Sequence, residues 1–256
     1  MRRQTRVEAI CFAVFFFVLS TSAFAQLNTD PVPAHLTKAR ELVTNLTGAS
    51  ENVYGDGKRH IDWNSTPAAA RTVCASFVTL LLQHTYGMHA SDFKSWMNTT
   101  NPEAADYHDA IVARNGFKRV LHITALRPGD FIAIKYTDHH LSSNGVEDTG
   151  HIMIVDDAPV QIDNKRPIVT GTQQYTVSVI DSSASGHGPM DSRASSDGKL
   201  MGGIGRGILR LYANTDDRIV GYTWSDLSKS PYFCGPNRDI VAGRLDRPEF
   251  SSESGG

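Results

Sequence analysis

Arg71-Thr72-Val73-Cys74-Ala75-Ser76-Phe77-Val78-Thr79-Leu80-Leu81-Leu82-Gln83-His84-Thr85-Tyr86-Gly87 reads as a helix that packs by one face. Val73, Phe77, Leu80, Leu81 and His84 recur at three- and four-residue steps, and Gly87 supplies a stop. Two starts fit the sequence. With Thr72 as N-cap, Cys74 falls in the first turn, where unpaired backbone N–H groups and the positive dipole end favour a thiolate. With Thr66 as N-cap, Pro67 in first position and Ala68, Ala69 and Ala70 as helix formers, Cys74 lies two turns in and is less reactive.

Upstream, Ala34–Leu46 has an apolar face of Leu36, Ala39, Leu42, Val43 and Leu46, and reads as a second helix. Ser50–Ser65, with Tyr54-Gly55-Asp56-Gly57, reads as loop. Downstream, Ser91–Met97 and a segment opened by Asn101-Pro102 read as helices. After Gly116 the pattern becomes β. Strands are expected at Phe117–Ile123, Phe131–Tyr136, His151–Val155, Gln174–Asp181, Gly207–Tyr212, Arg218–Trp224 and Ile240–Leu245. The turn Leu126-Arg127-Pro128-Gly129-Asp130 delivers the chain into the second of these. Ser182–Gly205 is rich in Ser and Gly and reads as a long mobile loop. Gly202-Gly203-Ile204-Gly205-Arg206-Gly207 leads into a β pattern and not a helix, which argues against a phosphate loop. Helices first and strands after them imply an α+β domain with helices packed on an antiparallel sheet.

The chain has 256 residues, enough for one domain with a sizeable core. Residues 1–25 read as a signal peptide: Arg2, Arg3 and Arg6, an apolar run from Ile10 to Leu19, then Ala23-Phe24-Ala25 as the cleavage site. A single domain is expected over 26–250, with a disordered tail at 251–256. These features place the protein in the periplasm or outside the cell, with no lasting membrane anchor. The leader carries three Arg and one Glu, so the formal charge of −2 becomes about −4 without it. Nothing in that balance fits a nucleic-acid partner. Two of the three Cys remain after the leader, Cys74 and Cys234. In an exported protein they read either as one disulfide or as free thiols.

A thiol nucleophile needs a base within reach and a third group to orient that base. Cys74, His151 at the head of one strand and Asp181 at the end of the next supply the three in order. His151 also reads as an ordinary strand-edge histidine, and Asp181 before Ser182-Ser183 as a turn former. His139-His140 reads as solvated loop, since a metal needs further ligands near it.

Cys-Ala-Ser-Phe-Val-x-x-Leu-Leu, then Leu-Arg-Pro-Gly-Asp-Phe-Ile-Ala-Ile, then Gly-His-Ile-Met-Ile-Val resembles the NlpC/P60 family of papain-like cysteine peptidases, and is similar to the related CHAP amidases. The likeness runs from about Tyr54 to Ser183, half the chain. It implies a papain-like fold with Cys74 as nucleophile, His151 as base and Asp181 as the orienting residue. Tyr54 is similar to the family's upstream tyrosine near the oxyanion. Ser76 and His187, in Gly186-His187-Gly188-Pro189, are further candidates for the rim and substrate contacts. Val73 stands where the family usually has Asp, and Ala75 where it usually has Ser. The implied activity is hydrolysis of amide bonds in peptidoglycan stem peptides, with no metal or organic cofactor. The alternatives are an amidase or acyltransferase of the same fold on another exported substrate, or an inactive envelope protein held by a Cys74–Cys234 disulfide.

Overall fold

The computed structural model describes residues 31–47, 50–55, 57–137 and 148–246. The signal peptide over 1–25, the tail over 251–256 and the His139-His140 pair lie outside the described residues. None of the described helices is long and apolar enough to cross a membrane.

Helix α1 (Ala34–Leu46) buries the apolar face read from its sequence: Leu36, Ala39, Leu42, Val43 and Leu46. The segment read as loop instead holds β1 (Asn52–Tyr54) and β2 (His60–Asp62), and both pair with β3 (Ala69–Thr72). Of the alanines expected as helix formers, Ala69 and Ala70 therefore sit in a strand and Ala68 directly precedes it. Alanine's helix preference amounts to a few tenths of a kcal/mol per residue, and the ladder hydrogen bonds on both sides of β3 outweigh it. The chain stays extended through Val73, and α2 (Cys74–Tyr86) begins at the cysteine. Gly87 ends it in the left-handed conformation, at φ 66°. Helices α3 (Ala90–Met97) and α4 (Ala104–Ala113) follow, the latter capped at Glu103 and not at Asn101.

The remaining strands are β4 (Phe117–Val120), β5 (Phe131–Tyr136), β6 (Gly150–Val155), β7 (Val160–Ile162), β8 (Thr172–Ser183), β9 (Gly203–Asn214), β10 (Ile219–Thr223), β11 (Tyr232–Phe233) and β12 (Arg238–Leu245). They form one sheet in the order β11-β10-β9-β8-β6-β5-β12-β4, with β7 added on β8, and their pairings are antiparallel. The class is α+β, as the helix-then-strand order implied.

Alternation along the strands divides two cores. Phe131, Ala133, Ile152 and Ile154 face the helices, where Phe77, Val78, Leu81 and Leu82 of α2 are fully buried. Burying each such side chain contributes about 1.5–3 kcal/mol. Ile132, Ile134, Met153, Val177, Leu209 and Leu211 face the other way and pack on one another, because the sheet curls. His122 beyond β4 bridges to Arg218 before β10, which brings distant ends of the sheet together.

The Pro128-Gly129-Asp130 turn is anchored on both sides. Asp130 accepts from the Arg127 backbone N–H at 2.8 Å and from Arg244 Nε and Nη2 at 2.7 and 2.9 Å. Buried His35 of α1 donates from Nε2 to the Gly129 carbonyl at 2.8 Å, and its Nδ1 accepts from the Tyr86 hydroxyl at 2.8 Å. Burial pushes the His35 ring down to about 4, with the Gly129 carbonyl opposing in part.

Candidate active site

Cys74 is the first residue of α2, and Val73 before it offers no side-chain cap. The Ser76 hydroxyl accepts the Val73 N–H at 2.9 Å and donates to the Val73 carbonyl at 3.1 Å. Ser76 is thus spent on closing the turn and is buried, which removes it from the substrate contacts expected of it. The leading N–H groups of α2, which have no intrahelical acceptor, point to the end where the sulfur sits. A hydroxyl pair fixes that end to the sheet: Thr72 Oγ1 donates to Ser182 Oγ at 2.9 Å, and Ser182 Oγ donates to the Thr72 carbonyl at 3.1 Å. Tyr54, half-buried, ends β1 beside Thr72 in the parallel ladder, two residues before the cysteine.

Strand β6 brings the base. Cys74 Sγ lies 3.8 Å from the Gly150 carbonyl, and the next residue is His151. Gly150 has φ +142°, and a Cβ there would sit 1.9 Å from the Ile134 carbonyl oxygen, so the close pairing of β5 and β6 at this point admits glycine alone. His151 Nε2 meets Asp181 Oδ2 at 2.7 Å, which leaves Nδ1 as the ring nitrogen available to Cys74, whose sulfur lies beside the carbonyl of the preceding residue, Gly150. The structure therefore brings Cys74, His151 and Asp181 together, from α2, β6 and β8. Strands β6 and β8 are antiparallel neighbours.

The charges are unevenly balanced. Burial pushes the His151 imidazolium down, but the Cys74 charge and the bond to Asp181 prevail and raise it to about 10. Asp181 is fully buried, and burial alone would push its carboxyl up. The Arg193 and His187 charges and the hydrogen bonds from both histidines hold it well below the usual carboxylate range.

The segment read as a long mobile loop is pinned behind Asp181. His187 is buried, with Nε2 3.0 Å from Asp181 Oδ2 and Nδ1 2.7 Å from the Trp224 carbonyl. It lies behind the triad and not at its rim, so it cannot contact a substrate. Arg193 Nη2 forms an ion pair with Asp181 Oδ1 at 3.0 Å, without the alignment of a hydrogen bond. Its fork is held by Asp191 at 2.7 Å on each oxygen, by Ser183 Oγ at 2.7 Å and by the Gly203 carbonyl at 2.9 Å. The Gly-rich stretch makes room for this cluster. A Cβ at Gly205 would come within 2.6 Å of Arg193, and one at Gly207 within 2.6 Å of His187. The Trp224 ring packs on His187 at 4.4 Å and edge-on to His151 at 4.8 Å. No motif or periodicity in the sequence singles out Asp191, Arg193 or Trp224. The one available signal is Gly203-x-Gly205-x-Gly207, a strand stripped of side chains along one face.

Cys74 and Cys234 are both free, one buried and the other exposed, which overturns the disulfide reading. A cavity of about 510 Å³ lies between the end of α1, β1 and the Ser192–Ser195 segment, and includes neither Cys74 nor His151 in its lining.

The chain is 36% identical over 224 residues to an uncharacterized protein of Acanthamoeba polyphaga mimivirus, in an alignment that covers 84% of this chain and 97% of the viral protein. No family model and no solved structure matches it.

Proposed function

We propose that this chain, which belongs to the same family as the mimivirus protein, is an exported cysteine hydrolase of papain-like NlpC/P60 type that cleaves amide bonds in peptidoglycan stem peptides. The observation that carries the chemistry is Cys74 at the first position of α2, its sulfur 3.8 Å from the Gly150 carbonyl that directly precedes His151, with the His151 ring held by Asp181 at 2.7 Å. In this reading His151 holds Cys74 as a thiolate, and the sulfur attacks the carbonyl carbon of the scissile amide. The oxyanion forms beside the Cys74 backbone N–H and Tyr54. His151 then protonates the departing amine, and water releases the acyl group from sulfur. Asp181 fixes the ring so that Nδ1 faces the thiol throughout.

The substrate rests on the resemblance of the Cys74, Pro128-Gly129-Asp130 and Gly150-His151 motifs, and the periplasmic or extracellular location on the leader over 1–25. Val73, where the resembling family carries an acidic residue, favours a second reading in substrate only: an amidase or acyltransferase acting on another exported amide or ester. Digestion of purified peptidoglycan with the wild type and with Cys74→Ala, followed by mass spectrometry of the new termini, tests the assignment. New amino and carboxyl termini that need Cys74 support it. An untouched sacculus beside Cys74-dependent turnover of simple esters or amides supports the second reading.

A further inference from the structure

We infer that His187 and Arg193 are positioning residues for the proposed hydrolase, two cations that keep the buried Asp181 a carboxylate and aim it at His151. The inference rests on that reading of the site.

Asp181 has no solvent to stabilise its charge, and Oδ2 alone faces two imidazole nitrogens, His151 Nε2 at 2.7 Å and His187 Nε2 at 3.0 Å. His187 reports its own state through its other contact. The Trp224 carbonyl at 2.7 Å can only accept, so Nδ1 must carry a proton. Nε2 faces a carboxylate oxygen, which also accepts. Both contacts are satisfied only by a ring with two N–H groups, the imidazolium. Arg193 adds a second fixed charge on the other carboxylate oxygen, at 3.0 Å, and its fork is kept in place by Asp191. The charged groups that meet His187 are Asp181 from β8 and Asp191 from its own segment, and Arg193 and His151 reach it through the Asp181 carboxylate they share.

The consequence is specific. With His151 as its only partner, Asp181 would hold that proton tightly and oppose its delivery to the leaving amine. Sharing the carboxylate among three cations weakens that hold, and the net positive charge also favours the Cys74 thiolate. Removing one of these charges should move the acid limb of Cys74 reactivity to higher pH. A structural role would lower the amount of active protein and leave the limb where it was.

The test needs no substrate. Iodoacetamide alkylation rates of the full chain are measured from pH 4 to 9 on the peptide that contains Cys74, by mass spectrometry, for wild type, His187→Gln, Arg193→Gln and Arg193→Lys. Gln at 187 can still donate to Asp181 but is neutral, and Lys at 193 keeps the charge without the fork. The expected result is an acid limb raised by about one pH unit in both Gln variants, the order expected for one charge in a partly buried site, and unmoved in Arg193→Lys. Gln variants that share the wild-type limb overturn the positioning role and leave the thiolate pair standing. A wild type that titrates like a free thiol overturns the pair itself, and both readings with it.

Discussion

Two buried histidines in this molecule sit in opposite states. His35 joins α1 to the Pro128-Gly129-Asp130 turn, and His151 joins Cys74 to Asp181. Both are almost fully buried, yet His35 is pushed down to about 4 and His151 up to about 10. The difference lies in their partners. His35 meets a hydroxyl and a carbonyl, neutral groups that are satisfied by a neutral ring. His151 meets a carboxylate and a thiol. Burial alone produces a structural histidine, and an adjoining negative charge is what turns a buried ring into an acid and a base.

The largest effect should come from the sulfur. Cys74→Ser is expected to abolish turnover of any confirmed substrate while thermal unfolding changes by no more than about 1 kcal/mol, because the two side chains are nearly the same size. Unchanged turnover would remove Cys74 from the chemistry. Asp181→Asn attacks the charge that separates the two histidines. It should lower turnover by about 10³–10⁴-fold, since an amide can hold the ring in the wrong tautomer. It should also lower stability by about 3 kcal/mol, because His187 and Arg193 then face an uncharged group. A folded, fully active Asp181→Asn protein would show that His151 needs no charged partner.

The smallest effect concerns His35 and has a definite sign. Its value falls from 6.5 unfolded to about 4 folded. Between those values the unfolded chain binds a proton that the folded chain refuses. Stability therefore falls as pH drops from 6.5 toward 4, by up to about 3 kcal/mol, and this contribution is fully present above 6.5. Urea midpoints across that range should slope less in His35→Gln, which keeps a donor for the Gly129 carbonyl but does not titrate. Parallel slopes would mean that His35 is protonated in the fold.

The elements with strong periodic signals were legible. The bounds of α1 and β5 coincide with those read from the sequence, and α2 stops at Gly87 as expected, but of its expected face only Phe77 and Leu81 are buried, Val78 and Leu82 taking the places of Leu80 and His84. The short strands β1, β2 and β7 were missed, because three-residue strands are made by their neighbours and carry no period of their own. Strand β3 was masked by its alanines. At the site, the sequence order of Cys74, His151 and Asp181 matches the geometry that joins them. The support behind Asp181 was hidden, because Ser182–Gly205 has the composition of a flexible loop. What immobilises it is a set of buried charges, Asp191, Arg193 and His187, which composition counts as polar and therefore as exposed.

The position of β12 has a consequence for how the protein is made. Residues Arg238–Leu245 lie between β4 and β5, which come more than a hundred residues earlier in the chain. Until that stretch emerges from the ribosome, β4 has no strand partner among the described residues and β5 has one open edge. Strand β5 in turn carries β6 and its histidine. A growing chain therefore holds its cysteine long before the frame behind the base is closed, and the thiol becomes a coordinated part of a site only after Arg238–Leu245 has joined the sheet. Pairing over such distances in sequence also makes folding slow, and leaves an interval in which edges must be kept from other chains.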